Sequence, residues 1–220
     1  VYPYTKINAI SRFESRSRFE WPRFAGINTD FSLTGPKTLY GATKLASELI
    51  LQEYIAAYGI KAVVNRCGVV AGPWQFGKVD QGVFTYWMLA HYFKRPLKYI
   101  GFGGKGKQVR DLLHVDDLCR LIDLQVNSLS KLSGNIYNVG GAKEVSLSLL
   151  ETTALCREIT GNKIKVGRDP RNRPGDIAIY LTDNQKVTRQ LKWKPQKPAI
   201  MILDDIFNWI RNNEEKLRKL

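Results

Sequence analysis

The chain has 220 residues, of which 44% are hydrophobic and 25% charged, enough apolar material for one sizeable packed unit or parts of two. No apolar run approaches the roughly 18 residues that a membrane span needs, and the opening Val1-Tyr2-Pro3-Tyr4 has neither basic nor apolar signal-peptide character. The net charge of +14 is spread along the chain and mixed with acids, with no dense basic helix, so it reads as a solvated surface that also attracts phosphorylated ligands, with no nucleic-acid partner.

In chain order, residues 5–37 are polar and turn-rich, a long surface loop with local structure. Apolar spacing of three and four residues predicts a helix over 38–58, closed by Gly59. Residues 62–70 form a nearly continuous apolar run, as expected of a strand buried on both faces of a parallel sheet. Helix followed closely by buried strand is half of a βαβ unit. Beyond a loop over 72–82, a helix is predicted from Val83 to Phe93 and a brief strand from Leu97 to Ile100. A glycine-rich turn follows over 101–106, then an extended segment from Val109 to Val115. Asp116 is placed to cap a helix running to Asn127. A strand over 136–139, a helix capped by Ser146 and reaching Thr160, a short strand over 164–166, and helices over 183–191 and 199–217 complete the chain.

Cys67, Cys119 and Cys156 are widely spaced and odd in number, and His91 and His114 stand alone, so neither a disulfide framework nor a metal site is expected. The chemistry concentrates at Tyr40-Gly41-Ala42-Thr43-Lys44. A tyrosine and a lysine four residues apart share one helix face. A free tyrosine, with a pKa near ~10, is a poor base at neutral pH, whereas an ammonium nearby favours the phenolate. Such a phenolate can take a proton from a substrate hydroxyl. On spacing alone, Tyr40 reads equally as a core or surface aromatic.

The segment 36–48 around that pair resembles the active-site helix of the extended short-chain dehydrogenase/reductase family, the NAD-dependent epimerases and dehydratases. Gly106-Lys107-Gln108-Val109-Arg110-Asp111-Leu112-Leu113-His114-Val115-Asp116-Asp117 is similar to a second family segment, and Asn135-Ile136-Tyr137-Asn138-Val139-Gly140-Gly141 to a third. Leu191-Lys192-Trp193-Lys194-Pro195 resembles a fourth, and Val1-Tyr2 is similar to the "VYG" that follows the catalytic Ser/Thr strand. These segments occur in family order along essentially the whole chain. Within the family, Gln75-Phe76, Asp80-Gln81-Gly82 and the run 145–151 resemble the branch of CDP-paratose 2-epimerases, also called CDP-tyvelose epimerases.

The resemblance implies an α/β fold: the C-terminal part of a Rossmann-like doubly wound parallel sheet (1–73, with the catalytic helix) joined to a small α/β region that binds nucleotide sugar (74–220, with short returns to the sheet). It implies NAD as cofactor and a CDP-deoxyhexose as substrate, epimerised at C2 by transient oxidation to a ketone and return of hydride. It also implies a cytoplasmic homo-oligomer serving lipopolysaccharide O-antigen synthesis. Carried over position by position, Tyr40 is the general acid/base and Lys44 holds the nicotinamide ribose. Cys67 and Val70 pass beside the nicotinamide, Gln75 and Gln81 contact the substrate, and Tyr99 and Ile100 lie near the base. Arg110 and Arg173 grip the diphosphate, since a guanidinium matches phosphate oxygens in pairs. Each has a plainer alternative: Arg110-Asp111 as a surface ion pair, Arg173 as one of a basic loop with Arg168 and Arg171, Cys67 as a packed thiol.

Two departures accompany the likeness. Where many relatives read "R-x-x-N-x-Y-G-P", Val69 and Ala71 replace a polar residue and a tyrosine. No glycine-rich dinucleotide fingerprint is present, since 101–106 comes too late and in the wrong context. The chain therefore reads as lacking the N-terminal dinucleotide-binding part, with the catalytic Ser/Thr expected just before Val1. A nucleotide-sugar 4,6-dehydratase and a non-catalytic binding subunit of the same fold stay open as alternatives.

Overall fold

The structure, a computed structural model, describes residues 1–78 and 81–218. Asp80, one of the residues carrying the CDP-paratose 2-epimerase likeness, lies outside the described residues. The chain opens with a short helix α1 (Tyr4–Asn8) and a two-residue hairpin, β1 (Phe13–Glu14) with β2 (Phe19–Glu20). The helix α2 (Leu39–Tyr58) follows, its first turn capped by the Thr38 hydroxyl, which accepts from the Gly41 amide. Gly59 ends it at φ 66°, a left-handed conformation that glycine adopts without penalty.

The run 62–70 folds as two strands, β3 (Val64–Cys67) and β4 (Val69–Ala71), broken at Gly68. The break lets the chain change partners. β3 pairs in parallel with β7 (Ile136–Val139), whereas β4 pairs in parallel with β6 (Val109–His114). At Gly68 an ideal Cβ would stand 2.9 Å from Asp111 Oδ1, so only glycine lets the two half-strands pass that close to β6. Contrary to expectation, this segment is not buried on both faces. Val64, Asn65, Val69 and Val70 are half-buried and Cys67 is exposed, because one side of the strand forms the wall of a cavity.

β6 is central. It also pairs in parallel with β10 (Ile179–Tyr180) and antiparallel with β8 (Ser146–Ser148). β5 (Leu97–Ile100) and β9 (Val166–Asp169) form a separate parallel pair. The architecture is therefore α/β with predominantly parallel pairing, as the sequence implied. α3 (Val83–Tyr92), α6 (Leu149–Thr160) and α8 (Ala199–Asn212) pack on one another and enclose the largest core cluster, with Phe84, Met88, Leu112, Cys156, Ile202 and Ile206 fully buried. A second cluster gathers Tyr2, Trp21, Ile27 and Ile179, and a third gathers Leu113, Tyr137, Val139 and Trp193 behind α4 (Val115–Asn127).

Two helix caps differ from the sequence expectation. His114, not Asp116, caps α4, its Nδ1 accepting from the Asp116 amide at 3.0 Å. Ser148, not Ser146, caps α6 in a reciprocal box with Glu151, because Ser146 is drawn into β8. α5 (Leu129–Leu132), α7 (Gln185–Leu191) and α9 (Glu214–Leu217) are short, the last set off from α8 at Asn213.

Candidate active site

A cavity of about 1700 Å³ runs along α2, the ends of β3 and β4, and the loops before α3 and after β9. That exceeds the roughly 300–1,000 Å³ of a pocket for one small ligand, leaving space for two ligands side by side. Tyr40 and Lys44 line it from α2. The Tyr40 side chain is 68% exposed, and Lys44 Nζ lies 5.5 Å from the centre of its ring. Cys67 and Val70 line the adjacent wall. Desolvation by the surrounding wall pushes the Cys67 thiol up to about 11, so it is a neutral contact surface rather than a nucleophile.

Across the cavity, Gln75 and Gln81 contribute from the loop before α3, and Ile100 from the end of β5. Gln75 Nε2 donates to the Val70 carbonyl at 2.6 Å, which fixes that loop against β4. Arg110 and Arg173 line the same cavity. Arg110 Nη2 donates to Asp176 Oδ1 at 2.9 Å and Nη1 to the Val109 carbonyl. Its neighbour Asp111 faces the opposite side of β6 and is fully buried, so the two do not form the surface pair that adjacency suggests. Burial lowers the Arg110 pKa and Asp176 raises it, a guanidinium held in place with part of its hydration removed.

Tyr99 is the one proposed contact that turns away. It is buried on the same face of β5 as Leu97, its ring stacked 6.1 Å from Trp87 and its hydroxyl donating to Thr153 Oγ1 at 2.7 Å. Lys98, Ile100 and Gln108 form that end of the cavity instead. Glu48 and Tyr2, assigned no role from the sequence, and Arg66, placed from it only within the strand end beside the nicotinamide, also line the cavity. The one sequence signal for Glu48 is its spacing, four residues beyond Lys44 on the same helix face.

The model of the NAD dependent epimerase/dehydratase family matches residues 20–140, more than half of the chain. The chain belongs to that family. The CDP-paratose 2-epimerase of Salmonella typhi is 31% identical over 172 residues, covering 77% of this chain and 51% of that protein. The UDP-glucuronate 4-epimerase of Thermodesulfobacterium geofontis is 29% identical over 194 residues, 87% of this chain and 56% of its own length. Among solved structures, the UDP-glucose 4-epimerase of Thermotoga maritima with UDP-glucose superposes with a TM-score of 0.69 at 27% identity, covering 80% of this chain and 54% of that one. The chain thus spans about half the length of the relatives it matches.

NAD is the cofactor of this family. The residues present fit its nicotinamide-ribose end: a lysine ammonium and a tyrosine hydroxyl on one wall, a thiol and Val70 on the next. Among the described residues, none forms a glycine-rich cradle for the pyrophosphate. The glycine-rich turn 101–106 is closed, since an ideal Cβ on Gly106 would stand 2.6 Å from the Tyr99 ring and one on Gly104 3.0 Å from Arg168. Its Phe102 amide is already taken by Asn172 Oδ1 at 2.7 Å. Among the described residues no group of His, Cys, Asp and Glu is arranged to hold a metal, and no helix is long and apolar enough to cross a membrane.

Proposed function

We propose that this chain carries the proton-transfer and substrate-binding portion of an NAD-dependent nucleotide-sugar epimerase, a cytoplasmic homo-oligomer acting on a CDP-deoxyhexose at C2. The observation that carries the reading is a single cavity lined at one side by Tyr40 and Lys44 and elsewhere by Arg110 and Arg173. A proton-transfer pair and two guanidinium groups in one cleft suit a sugar joined to a diphosphate. The CDP-sugar assignment draws on the 31% identity to the Salmonella enzyme.

In this reading Arg110, steadied by Asp176, and Arg173 hold the diphosphate. Gln75 and Gln81 face the sugar. Tyr40 accepts the proton of the reacting hydroxyl as its carbon becomes a ketone, and returns it when the opposite face is reduced. Lys44 binds the nicotinamide ribose. NAD, when bound, supplies the hydride exchange. The neutral Cys67 thiol and Val70 keep the wall beside the nicotinamide free of competing charge.

The test is a substrate panel on the whole protein: CDP-paratose, CDP-tyvelose, UDP-glucose, UDP-glucuronate and dTDP-glucose, with products identified by NMR. Interconversion of the two CDP-sugars is expected. Loss of water from dTDP-glucose would establish the dehydratase reading, and turnover of none would favour a non-catalytic binding subunit. Tyr40→Phe removes the acceptor while leaving a largely exposed ring, so turnover should fall by about two to four orders of magnitude with folding unchanged. Near-parental turnover in that variant would eliminate Tyr40 as the acid/base.

A further inference from the structure

The cavity wall contains a buried ionic tie that the proton-transfer chemistry does not itself use. Glu48 stands one turn beyond Lys44 and two beyond Tyr40, so the three share one face of α2. Of the twenty residues of that helix, only Gly41 and Glu48 are buried. The Glu48 carboxylate accepts from Arg66 Nε at 3.0 and 3.1 Å and from Nη2 at 2.7 Å, a two-pronged contact with β3. The remaining arm of Arg66, Nη1, donates to the Tyr2 hydroxyl at 2.9 Å. That hydroxyl donates to Asn138 Oδ1 on β7 at 2.8 Å, and Asn138 Nδ2 donates to the Ile27 carbonyl at 2.8 Å. One guanidinium therefore joins α2, β3, the opening segment and, through Tyr2, β7.

Stability alone is a poor explanation for such a pair. Removing two charges from water offsets much of their attraction, and apolar side chains of similar volume often serve as well or better. The pair contributes something an apolar contact lacks, a defined geometry. The planar fork fixes the plane of the carboxylate, and with it the rotation and axial register of the helix. Register matters here because misplacing a reacting group by 1 Å can cost about a hundredfold in rate.

We propose that Glu48 and Arg66 are positioning residues, a buried fork that sets Tyr40 and Lys44 at fixed register against β3, whose next residue, Cys67, lines the same cavity. The inference rests on Tyr40 and Lys44 being the proton-transfer pair. It predicts that loss of the fork slows turnover even when the fold survives.

Two variants of the whole protein test this. Glu48→Leu with Arg66→Met replaces the pair by apolar groups of similar volume, and Arg66→Lys keeps the charge but removes the fork. Each should lower kcat at least tenfold, leave substrate KM within threefold, and weaken NAD binding measured by calorimetry at least threefold. The double variant should unfold at or near the parent temperature. A kcat within twofold of the parent in a folded variant, or a loss that merely follows the unfolded fraction, would overturn the proposal. Should the double variant not fold, Arg66→Lys decides alone. Tyr40→Phe, assayed in parallel, reports separately on the proton-transfer reading; near-parental turnover there would remove that reading and this proposal with it.

Discussion

Replacing Asp111 by asparagine should stabilise the protein above neutral pH and leave it nearly unchanged in mild acid. The carboxyl is fully buried between β6, Gly140 and Thr182. Its Oδ2 accepts from the amides of Ala142 and Thr182, each at 3.1 Å, and the Thr182 hydroxyl lies against the same carboxyl. Burial raises the pKa from 3.8 to about 6, only partly countered by those bonds. Well below pH 3.8, both folded and unfolded forms hold the proton, and the group adds no pH dependence. Between 4 and 6 the unfolded chain has released a proton that the folded chain retains, so stability falls as pH rises. At about 1.4 kcal/mol per pH unit the loss levels off near 3 kcal/mol above pH 6. Asparagine is neutral throughout, can accept the same two amides through its oxygen, and can turn its NH2 toward Thr182 Oγ1. Thermal unfolding of parent and Asp111→Asn from pH 4.5 to 8 should show a small difference at the acid end. The gap should widen to about 5 °C or more in favour of the variant at pH 8. A gap that stays constant, or that favours the parent increasingly as pH rises, would refute a raised pKa for the buried Asp111 carboxyl.

Two further outcomes can be checked directly. Gly140→Ala should cost about 3 kcal/mol in urea unfolding, because its Cβ would stand 2.3 Å from both Asp111 Oδ2 and Thr182 Oγ1, whereas Gly134→Ala, with nothing within 4 Å, should cost about 1 kcal/mol from its φ of 81° alone. Iodoacetamide at pH 8 should modify Cys67 about a hundredfold more slowly than glutathione, since its pKa near 11 leaves correspondingly little thiolate, and comparable rates would contradict the raised value.

Local signals in the sequence were read well where one element supplies its own evidence. α2 is capped by Thr38 and Gly59, and both boundaries rest on residues whose side chain or φ does the work within a few positions. The caps of α4 and α6 were misplaced for the opposite reason. Ser146 is as good a cap as Ser148 by chemistry, and its pairing opposite Asp111 decides between them. β10 has two residues and exists only through β6, so no periodicity announces it. At the site, the four-residue spacing of Tyr40 and Lys44 was visible, whereas the partners that hold the machinery are distant in sequence. Arg66 meets Glu48 18 residues back, and Arg110 meets Asp176 66 residues on. Tyr99 is buried and does not line the cavity, as the alternation Leu97-Lys98-Tyr99 implies by placing it beside Leu97 on the buried face of β5.

The alternation along β6 has a consequence of its own. Arg110 opens onto the cavity and Asp111 onto the core, so sliding the strand by one position would exchange them. A guanidinium would then sit where two amides await an acceptor, and a carboxylate would stand opposite Asp176. Both errors are electrostatic and both are large, so the fold polices the aim of its own cavity-facing arginine: any chain that folds at all delivers that side chain to the same side.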